Sequence, residues 1–133
     1  MNALRAAAVI LWASPATALG IAAGALGLAT GGRVRRRGRV LEFYGGFVTW
    51  LLGRVPPRPL GALAMTLGHV VLGASEAALD VTHQHELVHV EQYERWGPLF
   101  IPAYLLCSLV LRLRGRDGYR DNPFEVEAYR RAP

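Results

Sequence analysis

The sequence predicts a mostly helical α+β domain with a short β-sheet, preceded by a long apolar N-terminal helix. Three observations predict it. Between Arg5 and Arg33 lie 27 residues without a charge, AAAVILWASPATALGIAAGALGLATGG. Far downstream, THQHELVHVEQYERWG at residues 82–97 is polar, of helix length, and closed by Gly97-Pro98. Short apolar stretches bounded by glycine and proline lie between them, the composition of strands and turns. A length of 133 residues suits one small domain, and 52% apolar against 19% charged residues is more apolar than the soluble average, which points to lipid contact. Once the leading helix is set aside, the remaining core is small enough that a metal, a membrane or a partner matters to it.

The uncharged run comes first. At about 1.5 Å of rise per residue, some twenty residues cross the hydrocarbon layer, so this run is long enough to span. Pro15 invites a kink, and Gly20 with Gly24 has the spacing of a small-residue helix-contact motif. A cleaved signal peptide would share the basic start at Arg5 and offer PATA or ALG for cleavage. The apolar sequence continues past Ala18, however, and ends in RVRRRGR, with five arginines from Arg33 to Arg39, which favours a retained anchor. One arginine before the run and five after it place the C-terminal part in the cytoplasm. The expected organisation is a transmembrane helix at 1–32, a basic juxtamembrane segment at 33–39 and a folded domain at 40–133.

All 15 basic residues are arginine, and the net charge is +5. The Arg33–Arg39 cluster suits anionic lipid headgroups. Nucleic acid is not an expected partner, because aromatic residues are few, none interleaves with the arginines and no binding motif occurs. Cys107, within LLCSLVL, reads as a small core residue, and a single cysteine cannot close an internal disulfide.

Further elements follow in order. VLEFYGG predicts a strand running into a turn, FVTWLLGR a brief helix, and VPPRP a connector. MTLGHVVLG, residues 65–73, predicts a strand. The polar helix starts near Ser75 or Asp80, both good N-caps, and runs to Trp96. From Leu99 to Leu111 comes a second apolar stretch of about thirteen residues, too short to cross a bilayer as a helix, so it is expected in the core or lying in the interface. After the loop RDGYRDNP, a last short helix begins near Pro123 with FEVEAYRR.

The chemistry concentrates in the polar helix. Residues four apart share one helix face, so His85 and His89 can offer ring nitrogens to a single ion. Glu86 is turned about 100° from His85, beside such an ion rather than on it. Two histidines need a third ligand, and FEVEAYRR offers Glu125 and Glu127. His83, two residues before His85, points elsewhere, and His69 is the kind of lone strand histidine that is more often structural.

HELVH followed by a helix bearing a glutamate resembles the gluzincin branch of zinc metallopeptidases. HELVHVEQ is similar to small bacterial zincin-like domains in which a glutamine follows the second histidine by three. EVEAY resembles the E-x-x-A-D signature of membrane-associated gluzincins, with Glu125 at the ligand position, Ala128 at the small-residue position and Tyr129 where those enzymes carry aspartate. The resemblance covers about residues 65–130. It implies a zincin-like fold for 40–133 and Zn2+ held by His85, His89 and Glu125. It also implies Glu86 as the base that activates the zinc-bound water, and a peptide or protein substrate lying along a strand before the histidine helix. The family's aspartate braces a metal histidine, so Asp121, Glu127 or a backbone carbonyl would have to replace it. Tyr119, Tyr129 and His69 are candidates for the group opposite the zinc. A zinc-binding scaffold that cleaves nothing is the alternative implied by the same motif.

Overall fold

The computed structural model describes residues 2–55 and 62–133. The expected connector falls largely outside them, since Pro56, Pro57 and Pro59 are not among the described residues. In chain order come α1 (Ala3–Ala29), β1 (Arg33–Arg37), β2 (Val40–Tyr44), α2 (Phe47–Leu52), β3 (Ala64–Leu67) and β4 (Val70–Gly73). Then follow α3 (Glu76–Trp96), a 3₁₀ turn at Gly97–Leu99, α4 (Phe100–Leu113) and α5 (Pro123–Arg131). The chain is therefore the mostly helical α+β structure the sequence predicts, with a four-stranded mixed sheet and a long apolar first helix.

Two antiparallel hairpins, β1–β2 and β3–β4, are joined through a parallel β2–β4 pair in the order β1-β2-β4-β3. MTLGHVVLG, expected as one strand, is thus the second hairpin. Gly68 turns the chain at a φ of +63°, a left-handed conformation that glycine adopts without steric cost. β3 is left as an edge of the sheet.

The pleat sends alternate side chains to opposite faces. Phe43, Val70 and Leu72 form one buried cluster with Val48 and Leu52 of α2, while Val40 and Val71 pack with Leu79 and Val90 of α3 on the other. α1 lies against the first face through a stripe of buried small residues, Ala13, Ala16, Gly20, Gly24 and Gly27. A Cβ on Gly24 would stand 2.5 Å from the Phe43 ring and one on Gly20 2.6 Å from Val70. The Gly20/Gly24 spacing therefore serves a helix-on-sheet contact rather than one between helices. The opposite side of α1 is bare: Leu4, Leu11 and Leu19 are 82%, 72% and 59% exposed.

α1 is long and apolar enough to cross a membrane, a property shared by membrane spans and signal sequences, and the continuous helical run Glu76–Leu113 also passes that test. α4, expected in the core or at an interface, has only Phe100 buried, and Leu105, Leu106 and Leu109 are more than half exposed. Its core placement is thereby excluded. The arginine cluster, expected as a juxtamembrane segment, forms β1 and its turn. Arg35 donates to Glu42 (2.7 Å) and Asp80 (2.6 Å), Arg37 donates to Asp80, and Arg39 makes a two-pronged pair with Glu94.

Ser75 caps α3 by accepting from the Ala78 amide (3.0 Å), and Asn122 caps α5 by accepting from Phe124 (3.0 Å). Pro123, at the first helical position, costs nothing there because that N–H lacks a helical partner anyway. These two caps set the phases in which α3 and α5 face each other.

Candidate metal centre

On α3 the two histidines stand one turn apart, and α5 brings Glu125 to them from its first turn. Glu125 Oε1 is 3.1 Å from Nε2 of both His85 and His89, and the two Nε2 atoms are 3.2 Å apart. These three ligand atoms all lie within 4.8 Å of one another and could hold a metal ion. Glu127 faces away from them, accepting from Gln92 Nε2 (2.6 Å) and Arg95 (2.8 Å).

Gln92 fixes the chemistry of His89. Its amide nitrogen donates to Glu127 and to the Phe124 carbonyl (3.0 Å), so its oxygen is the atom facing His89 Nδ1 at 2.8 Å. An amide oxygen only accepts, so Nδ1 carries the proton and the neutral ring turns its Nε2 lone pair toward Glu125. Glu127 thus acts on His89 only through Gln92. Asp121, the other side chain considered for the brace, accepts instead from the Asp117 amide. His85 is held differently, by ring contact with Tyr129 at 4.4 Å between centroids, while the Tyr129 hydroxyl shares a 2.8 Å hydrogen bond with Tyr119.

The carboxylates are sorted by their partners. Tyr104 donates its hydroxyl to Glu125 Oε2 at 2.7 Å, leaving Oε1 for the shared position. Burial pushes the Glu125 carboxyl up, but hydrogen bonds from His85 and His89 outweigh it and hold the group at about 2. Burial pushes His89 down, and the Glu125 carboxylate overrides it to give about 9 in the metal-free chain. Glu86 is buried on the β3 side of α3, where its Oε2 accepts from the Thr66 hydroxyl at 2.7 Å. Its carboxyl is raised above the usual range, chiefly by burial, against the pull of His89 and Thr66.

The residues present fit a divalent ion. Four-coordinate zinc with bonds of about 2.0–2.1 Å places its ligand atoms roughly 3.3 Å apart, close to the edges of the observed triangle. A neutral imidazole lone pair, a second ring nitrogen and a carboxylate oxygen converging without a cation repel one another. In the metal-free chain a proton on His89 takes that central role. Nitrogen and oxygen donors of this kind suit zinc and other first-row divalent ions.

A cavity of about 1100 Å³ opens over the group, and His85, Glu86, His89 and Glu125 all line it. β3 forms one wall and α4 another, with Tyr104, Tyr119 and Tyr129 also on the lining. His69 is elsewhere, in the β3–β4 turn, bonded through Nε2 to Glu94 (2.8 Å) and through its amide to Thr17 (3.0 Å). His83 is half-buried toward Arg37 and Glu42, away from the site. Cys107 is half-buried in α4 and does not line the cavity.

Thr66 and Tyr104 were invisible to sequence reasoning. Each reaches the site through tertiary packing, Thr66 by the sheet order and Tyr104 by the α4–α5 contact, and neither lies at a fixed offset from the motif. Gln92 carried a signal, its i+3 spacing from His89, but its role depends on Glu127.

Comparison with known protein families, with curated proteins and with solved structures finds no match for this chain. What the fold and site define together is an α+β domain with a long apolar helix and a His-His-Glu group able to hold a metal ion.

Proposed function

We propose that the protein is a membrane-anchored zinc metallopeptidase of the gluzincin kind, hydrolysing peptide bonds with Glu86 as its base. One observation carries the reading. A His-His-Glu group converges within 4.8 Å, and a separate buried carboxylate, Glu86, faces the same cavity. Burying four ionisable side chains in a domain this small costs stability unless they are paired and used.

Zinc bound by His85, His89 and Glu125 would supply a Lewis acid and lower the pKa of an attacking water. Glu86 takes the proton of that water and returns it to the departing amine nitrogen. Its raised carboxyl suits both transfers, since a more basic carboxylate removes the proton from water more readily and the resulting acid is still far stronger than the protonated amine to which it gives the proton. Thr66 orients Glu86, while Tyr104 and Gln92 hold Glu125 and His89 in place. β3, as a sheet edge beside the cavity, offers its outer backbone edge to an extended peptide.

The exposed outer faces of α1 and α4 are the membrane contact, with the arginine end on the cytoplasmic side. Arg33 and Arg36, which form no ion pair among the described residues, are left for anionic headgroups.

Glu86→Gln tests the chemistry. The variant is expected to retain zinc and to cleave a peptide library about 10²–10⁴-fold more slowly. Undiminished cleavage would contradict the assignment. Zinc bound by the unmodified chain with no cleavage of any peptide would instead support a zinc-binding scaffold.

A further inference from the structure

We infer that the cavity over the metal centre selects an extended polypeptide segment with apolar side chains, presented at the membrane surface. This rests on the peptidase reading and names the substrate class for the same site.

The lining carries the inference. Apart from the metal centre, its base, a few hydroxyls and the two guanidinium groups of Arg112 and Arg120, the walls are apolar: Leu63 and Met65 on the β3 side, Val81 on α3, and Ile101, Leu105 and Leu109 on α4. Among the described residues, no carboxylate side chain lines the cavity other than Glu86 and Glu125, and both are engaged at the centre. A lysine or arginine side chain would find no counter-charge there. Neutral polar side chains set against the apolar walls would lose water without gaining partners, at a cost of about 1–3 kcal/mol per group in protein measurements. At about 1100 Å³ the space exceeds the roughly 300–1,000 Å³ of ordinary small-molecule pockets, which suits a run of chain rather than one side chain.

α4 supplies the location. Its 14 residues present Ile101, Leu105 and Leu109 to the cavity and Leu106, Val110 and Leu113 away from it. No acidic residue interrupts either side, and Arg114 and Arg116 stand just past its end. A helix apolar all round is stable only when something apolar covers it, and little of this protein does. A bilayer fits the outward side, and the terminal arginines fit its headgroups. One helix diameter, about 10 Å, then separates lipid from the cavity. A segment bound there lies against the membrane.

The test uses the full-length Glu86→Gln protein loaded with zinc, so that binding is read without cleavage. Two fluorescein-labelled ten-residue peptides are titrated by anisotropy in the purification detergent, one of alternating leucine and valine, the other of serine and glutamine. The apolar peptide is expected to bind at least about tenfold more tightly, the value of one buried leucine-sized side chain. Leu105→Asp with Leu109→Asp should remove that preference at unchanged zinc content, whereas Leu106→Asp with Val110→Asp should leave it intact. If the aspartates disturb folding, seen as zinc loss, Leu105→Ser with Leu109→Ser asks the same question with a milder change. Equal binding of the two peptides, or a preference insensitive to the inner face of α4, overturns the inference while zinc binding stands. Absence of zinc overturns the peptidase reading beneath it.

Discussion

Gln92 takes the bracing role that an aspartate has in the enzymes the motif resembles, from a different position and with a chemical difference. Its neutral amide fixes the His89 tautomer without adding a negative charge behind the ring. Gln92→Leu removes that acceptor and is expected to weaken zinc binding about 10–100-fold, measured by chelator competition. Replacing Tyr129 with Asp should not compensate, because Tyr129 touches His85 rather than His89. The pairing of His85 with His89 was legible from spacing alone, since helix geometry dictates it. The choice of Glu125 over Glu127 rested on the EVEAY resemblance and not on spacing, because two residues of difference on α5 become separate positions only once α3 and α5 are packed.

The same residues set a different pH dependence in the two metal states. His89 in the metal-free chain is raised from 6.5 to about 9, so its stabilising contribution is full below 6.5 and is lost as pH rises through about 9. Glu125 is lowered from 4.5 to about 2, so its contribution is present above 4.5 and is lost as pH falls through about 2. The metal-free protein should therefore lose thermal stability between pH 6.5 and 9. The zinc-loaded protein should instead gain stability as pH rises through about 6.5, where the unfolded histidine loses its proton, and hold level from there to 9, because zinc requires the neutral imidazole. Thermal scans with chelator and with zinc check this, and parallel curves would contradict a shared proton and metal position.

At the scale of elements, α1 has two unlike sides. Hydropathy made its length legible, but 27 uncharged residues say nothing of which side meets protein. The stripe from Ala13 to Gly27 reveals it only when the sheet is present. Gly24→Leu is expected to destabilise the fold by at least about 1–3 kcal/mol through the Phe43 ring. Leu19→Ser on the bare side should leave denaturation unchanged and lower binding to lipid vesicles. The β3–β4 hairpin was read as one strand because Gly68 and His69 sit inside an apolar run, and a two-residue turn leaves little composition to mark it. The arginines of β1 were read as a tail because charge clusters are commonly solvated. The partners Glu42, Asp80 and Glu94 become visible only through strand register and the placement of α3.

Across the whole molecule, α1, the sheet and α3 form three layers, and the site opens between β3, α3, α4 and α5. The fold class was legible because helix and strand periods are local signals. The enclosure of the site was not, since it depends on a parallel β2–β4 pairing that no local pattern announces. Charge asymmetry about α1 predicts that a reporter fused after Pro133 is active in the cytoplasm, and activity confined to the other side would reverse the orientation.

Metal content reaches the central claim most directly. Full-length protein purified without chelator, and its Glu125→Ala variant, are to be measured by elemental mass spectrometry. About one zinc per chain is expected in the first, and a large loss in the second. No bound metal in the unmodified protein, or full occupancy without Glu125, would contradict a centre shared by His85, His89 and the closing helix.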